Sequence, residues 1–139
     1  LVFNDQGEIL LQQRAFSKYH TPGLWSNTAC SHPRPGEDSL EAATRRLREE
    51  MGFTTELSGS FEFIYKAHFD NGLIEHEYDH VFFGTFNGIP VLNPEEANAY
   101  KWVKPADLME DMRSAPEKYT VWFRIIMEKM EERFPELFA

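Results

Sequence analysis

The stretch SNTACSHPRPGE, residues 26–37, holds the single cysteine of the chain, Cys30, with His32 two positions on. On an extended segment, positions i and i+2 face the same way, so both side chains would enter one pocket. A thiol titrates near about 8.5 in water, and a charged neighbour can make it a proton donor or acceptor near neutral pH. The opposing reading is a buried, inert thiol, the commoner fate of a lone cysteine. A second group lies at Glu75-His76-Glu77. On a strand its two carboxylates share a face, and one histidine with two glutamates makes a partial divalent-metal site. Taken alone, those acids fit solvated positions on an edge strand equally well. A third set, Arg45, Arg46, Glu49 and Glu50, falls in a segment of helical pattern. Helical carboxylates can hold a hard divalent cation that neutralises a diphosphate, although Arg45/Glu49 and Arg46/Glu50 also read as i,i+4 salt pairs.

These groups need elements to position them. Residues 1–14 read as two short strands around a turn at Asp5-Gln6-Gly7, and 15–25, with Pro22 and Gly23, as loop. WSNTACSH is short and mixed enough to be a strand that PRPGE then stops. From 38 to 51 the pattern is helical, with Asp38 or Ser39 as cap, Leu40, Ala43, Leu47 and Met51 on one face, and Gly52 as the stop. SFEFIYKAHF alternates, placing Phe61, Phe63, Tyr65, Ala67 and Phe69 on one side. Asn71-Gly72 is a hairpin signal, and IEHEYDHVFFGTF is the returning strand. AYKWV reads as a short strand, and PADLMEDM as a short helix with proline in its first turn. Residues 117–133 read as an amphipathic helix with Tyr119, Trp122, Phe123, Ile126 and Met130 on its apolar stripe. Together these elements predict a mixed sheet covered on both faces.

Composition bounds the function. A chain of 139 residues with 42% hydrophobic and 14% aromatic content is most simply one folded domain with a proper core. Its net charge of −9 gives no diffuse attraction for nucleic acid. The sequence carries no apolar run of membrane-spanning length, no signal peptide and no fixed-period repeat. One cysteine excludes an intramolecular disulfide framework and fits a reducing, cytoplasmic setting. Because LVFN reads as a strand already under way, an upstream segment is expected before Leu1.

GEDSLEAATRRLREEMGF resembles the box of the Nudix superfamily. Aligned on Gly52, the match comprises Glu37, Arg45, Leu47, Glu49, Glu50, Gly52 and Phe53, whereas the first glycine of the box is Ser31 and the glutamate after Arg45 is Arg46. Replacing a carboxylate by Arg46 removes a metal ligand and adds a phosphate binder. Combined with NTACSHP (27–33), EHE (75–77) and Trp122, the chain resembles the type 1 isopentenyl-diphosphate isomerase family over essentially its whole length. The resemblance implies an α+β fold, a Nudix-type α/β/α sandwich with a mixed sheet. It also implies isomerisation of isopentenyl to dimethylallyl diphosphate through a tertiary carbocation.

By the same resemblance, Cys30 is the acid/base on one face of the alkene and Glu77, beside Tyr65, serves the other. His32, Glu75 and Glu77 ligate a divalent metal, Mn2+ or Zn2+, which in the family takes two further upstream histidines. Glu50 holds a Mg2+ bound through the diphosphate. Arg14, Lys18 and Arg46 grip the diphosphate, and Trp122 faces the carbocation, a contact worth ~1–2 kcal/mol when desolvated. Trp122 as plain core, and Arg14 and Lys18 as surface charges, are the structural alternatives. His20, His68, His76 and His80 match no family role and read as surface or structural. The expected partner is a small isoprenoid diphosphate, with no nucleic acid or membrane, and the expected state is a monomer or weak dimer. The rival functions are a Nudix pyrophosphohydrolase of a nucleoside diphosphate derivative and a non-catalytic diphosphate-binding module.

Overall fold

The computed structural model describes residues 1–30, 33–68, 72 and 74–139, with the side chains of 65, 67, 68 and 75–77 outside that description. Strands β1 (Val2–Phe3) and β2 (Ile9–Arg14) flank the expected turn. Asn4 builds it: its Oδ1 accepts from the backbone N–H of Gln6 and Glu8, both at 3.0 Å, and Gly7 takes φ 74°. In β2, Ile9, Leu10 and Leu11 are all fully buried, so apolar layers must cover both faces. Ile9 and Leu11 pack with Leu108, Phe123, Met127 and Met130 on one side, and Leu10 with Val2, Leu47 and Met51 on the other.

β3 (Trp25–Ser26) and β1 pair with β2, while β6 (Ala97–Val103) also runs antiparallel to β2. β1 then pairs in parallel with β5 (Ile74–Thr85), which pairs antiparallel with β4 (Ser58–His68). The sheet is therefore mixed and flanked by α1 (Ser39–Met51), α2 (Pro105–Ser114) and α3 (Val121–Arg133). α1 begins where Asp38 Oδ1 accepts from Glu41 N–H at 2.8 Å. It ends at Gly52 with φ 73°, where a Cβ would lie 2.4 Å from the Val91 carbonyl oxygen.

Three expectations need correction. The strand expected over 25–32 stops at Ser26, because Thr28 Oγ1 donates to Leu10 O at 2.7 Å and accepts from Val2 N–H at 2.9 Å. A side chain thus takes ladder positions that a strand backbone would fill. Cys30 lies outside any strand, so the i, i+2 argument does not place it; Ser31 and His32 lie outside the described residues. The helix expected over 117–133 begins at Val121, after a 3-10 turn (Pro116–Lys118), because Thr120 N–H bonds Trp25 O at 3.0 Å and Tyr119 forms a parallel bridge with Trp25. Its stripe is as expected, with Tyr119, Trp122, Phe123, Ile126 and Met130 all buried. On α1 the buried face is Ala42, Leu47, Glu50 and Met51, while Leu40 is exposed, so the helix turns a carboxylate inward. Phe69 and Asn71 lie outside the described residues, and Gly72 takes φ 85°.

Candidate active site

A cleft of about 790 Å³ collects Arg14, Lys18, Asn27, Cys30, Arg46 and Trp122. They come from the end of β2, the loop after it, the segment following β3, α1 and the first turn of α3. Five of the six are residues singled out from the sequence; Asn27 is the addition.

Cys30 is half-buried, and its thiol donates to Asn27 Oδ1 at 3.2 Å. The Trp122 indole N–H donates to the sulfur at 3.1 Å and to Asn27 Oδ1 at 3.1 Å. Burial pushes the thiol up to about 11, and the Glu50 carboxylate pushes the same way. The resting thiol therefore carries its proton near neutral pH. The Arg14 guanidinium lies 5.4 Å from the Trp122 ring centroid. His20, read from the sequence as surface or structural, stacks on the same ring at 6.0 Å and lines the cleft.

Glu50 is buried on the inward face of α1. Its Oε1 accepts from Gln12 Nε2 at 2.6 Å, and Gln12 in turn bonds Thr28 O. Arg46 Nε lies 2.9 Å from Oε2 as an ion pair, yet that oxygen receives no aligned hydrogen bond among the described residues. Burial raises Glu50 to about 7 against the pull of Arg46 and Gln12. A buried carboxylate with an under-satisfied oxygen beside a cationic cleft fits a hard divalent cation.

Both proposed i,i+4 contacts are present. Arg45 reaches Glu49 at 2.7 Å and holds Glu37 through two bonds, while Arg46 pairs with Glu50. Glu49 also lies 3.5 Å from Arg46 Nη1, so it is spent on arginines. Sequence reading missed Glu96, whose carboxylate pairs with Arg46 Nη2 at 2.8 Å and with Lys18 Nζ. Two of the expected diphosphate cations thus share one internal counter-ion.

The Arg45 hydrogen bonds hold the Glu37 carboxyl down at about 2, below its ordinary 4.5. A group depressed on folding adds stability above its unfolded value, and that stability is lost as pH falls through the folded value. Glu37→Gln is therefore expected to lower the urea midpoint at neutral pH, with the gap to the parent closing between pH 4.5 and about 2. A gap that persists below that window would refute the pairing as its source.

For the opposite wall, strand register sets Tyr65 across from Glu77 and Ala67 across from Glu75. The side chains of Tyr65, Glu75 and Glu77, and the whole of His32, lie outside the described residues. Among the described residues, no three His, Cys, Asp or Glu side chains converge as a metal site. Nor is any described helix long and apolar enough to cross a membrane.

A mixed sheet between helices, with an arginine- and glutamate-bearing helix closed by Gly52, defines the class as a NUDIX domain, and the NUDIX domain model matches residues 1–123. The fold agrees with the MutT protein of Methanosarcina mazei Go1, at TM-score 0.79 and 21% identity over 96% of this chain and 89% of that one. It agrees also with a MutT NUDIX hydrolase of Burkholderia pseudomallei, at TM-score 0.68 and 23% identity over 91% and 93%. Curated relatives are much closer in sequence. Isopentenyl-diphosphate Delta-isomerase 2 of Aromatoleum aromaticum is 54% identical over 93% of this chain and 68% of its own length. The Serratia proteamaculans isopentenyl-diphosphate Delta-isomerase is 51% identical over 93% and 72%. The chain belongs to the isopentenyl-diphosphate Delta-isomerase family, an enzyme family with which divalent-metal dependence is associated.

Proposed function

We propose that this cleft converts isopentenyl diphosphate to dimethylallyl diphosphate by a 1,3 proton shift through a tertiary carbocation. The observation that carries the reading is a thiol held by an indole N–H in a cleft rimmed by Arg14, Lys18 and Arg46. One proton adds to the terminal alkene carbon, leaving the positive charge on the branched carbon, and one proton leaves the adjacent methylene. Cys30 serves one face and Glu77, with Tyr65 beside it, the other. Because the reaction is reversible, each is an acid in one direction and a base in the other. Protonating an unactivated alkene needs a well-placed acid away from water and a group that tolerates the cation, the part given to the Trp122 ring.

Arg14, Lys18 and Arg46 bind and orient the diphosphate. Glu50 would hold Mg2+ bound through the diphosphate, and His32, Glu75 and Glu77 a second divalent metal, Mn2+ or Zn2+; the chemistry supplied is neutralisation of substrate charge. Glu50→Gln keeps shape but loses charge. It is expected to raise the Mg2+ needed for half-maximal turnover by on the order of 10-fold or more, with little change in melting temperature. An unchanged Mg2+ titration would remove Glu50 from the metal site. The same proposal takes the enzyme as cytoplasmic, which its single cysteine fits, and as a monomer or weak dimer.

The hydrolase alternative is weaker because Arg46 replaces a box carboxylate, and Glu37 and Glu49 are bound to Arg45. The deciding experiment supplies isopentenyl diphosphate in deuterated water with Mg2+ and Mn2+ or Zn2+, beside phosphate release from a panel of nucleoside diphosphate derivatives. Dimethylallyl diphosphate carrying deuterium is the expected product. Phosphate release without isomer or exchange would overturn the reading.

A further inference from the structure

Asn27 is buried, and its amide orientation is fixed from both ends. Nδ2 donates to Ala29 O at 2.7 Å, which leaves Oδ1 facing the cleft. That one oxygen accepts from Ser26 Oγ at 2.9 Å, Trp122 Nε1 at 3.1 Å and Cys30 Sγ at 3.2 Å. Ser26 is itself tied to Thr120 Oγ1 at 3.0 Å, at the entrance to α3. A carbonyl oxygen has two lone pairs, so three donors converging on it make it a shared anchor rather than a private partner of any one.

We infer that Asn27 is the positioning residue that sets the register between the proton-transferring thiol of Cys30 and the indole ring of Trp122. The inference rests on the acid/base reading of Cys30. Cys30 and Trp122 stand on elements separated by most of the chain, and Asn27 Oδ1 touches both. The geometry also gives the anchor a part in the cycle. At rest the S–H points at Asn27, and rotation about the Cβ–Sγ bond turns the proton into the cleft. When that proton has moved to substrate carbon, the shared indole N–H can give its whole hydrogen bond to the sulfur, and Asn27 Oδ1 keeps Ser26. In forward turnover the sulfur regains a proton from solvent water while the base on the opposite face releases its own. In the reverse direction the sulfur takes the proton back from the substrate carbon, so no covalent bond to Asn27 is made or broken.

Asn27 reaches none of the diphosphate-binding side chains in the hydrogen bonds it makes. Its replacement should therefore act on the chemical step and spare substrate binding. For Asn27→Ala, kcat is expected to fall on the order of 10²-fold, the scale set by about 1 Å of misplacement. KM and inhibition by inorganic pyrophosphate should stay within about twofold, the mark of an interaction used in the transition state. Asn27→Ser, too short to reach both groups, should show the same split and serves if the alanine variant does not fold. Cys30→Ala is assayed in parallel. Turnover by that variant at the parent rate sinks the acid/base reading itself. If Cys30→Ala is inactive while the Asn27 variants keep kcat, or lose kcat and pyrophosphate affinity together, Asn27 does not have the positioning role.

Discussion

Cys30→Ala is expected to cut turnover by about 10²–10⁴-fold, the range for loss of a positioned acid/base group. The fold should survive, because Trp122 Nε1 still has Asn27 Oδ1 at 3.1 Å when the sulfur is gone. Cys30 is also only half-buried, so its removal opens no closed void. Cys30→Ser should be nearly as slow, since a hydroxyl is a far weaker proton donor than a thiol. Product formation and deuterium uptake, followed by NMR, read both variants, with pyrophosphate binding as the control for an intact cleft. A fully active alanine variant would remove Cys30 from the mechanism.

The largest stability effect is expected from Phe123→Ala. Phe123 is fully buried beside Tyr119, with ring centroids 6.3 Å apart, in the cluster that joins α3 to β2 and α2. Truncating a buried phenylalanine costs about 3–5 kcal/mol, through lost transfer energy and the cavity left behind. Domains of this size have about 5–15 kcal/mol in all, so the variant should be close to unfolding at physiological temperature. Urea titration should show a much lower midpoint with an unchanged slope. A cost below about 1.5 kcal/mol, the scale of a tolerated volume-conserving swap, would mean that the cluster collapses into the space.

What was legible in the sequence is what local chemistry decides. Asp5 to Gly7 mark a turn, Asp38 and Gly52 bound α1, and the stripe from Tyr119 to Met130 is buried although its helix starts later. The strand expected through Cys30 failed because Thr28 satisfies Leu10 and Val2 with its side chain, a choice visible only once β1 and β2 are adjacent. Glu50 points inward because the buried face of α1 runs through Ala42, Leu47 and Met51, whereas the apolar pattern put Leu40 and Ala43 on that face. Glu96 carried no signal at all: its partners are Lys18 and Arg46, 78 and 50 positions away. Asn27 stood inside a quoted motif, but an amide has no reactivity to betray a positioning role.

The sheet seam between β1 and β5 has a mechanical consequence. Its register joins Val2 to Gly84 and Phe3 to Thr85, and beyond it the β4–β5 hairpin extends as a lever arm. At about 3.3 Å per residue, Glu77 sits roughly 23 Å along β5 from the Gly84 rung. A tilt of roughly 2–3° at the seam would therefore carry it about 1 Å, the displacement that costs on the order of 10² in rate. The arm's angle is braced by Phe61 and Phe63, buried in the core beneath Arg133 and Lys129 of α3. Two phenylalanines far from the cleft thus set the angle of the strand that carries position 77, to which the proposed mechanism gives the second proton transfer.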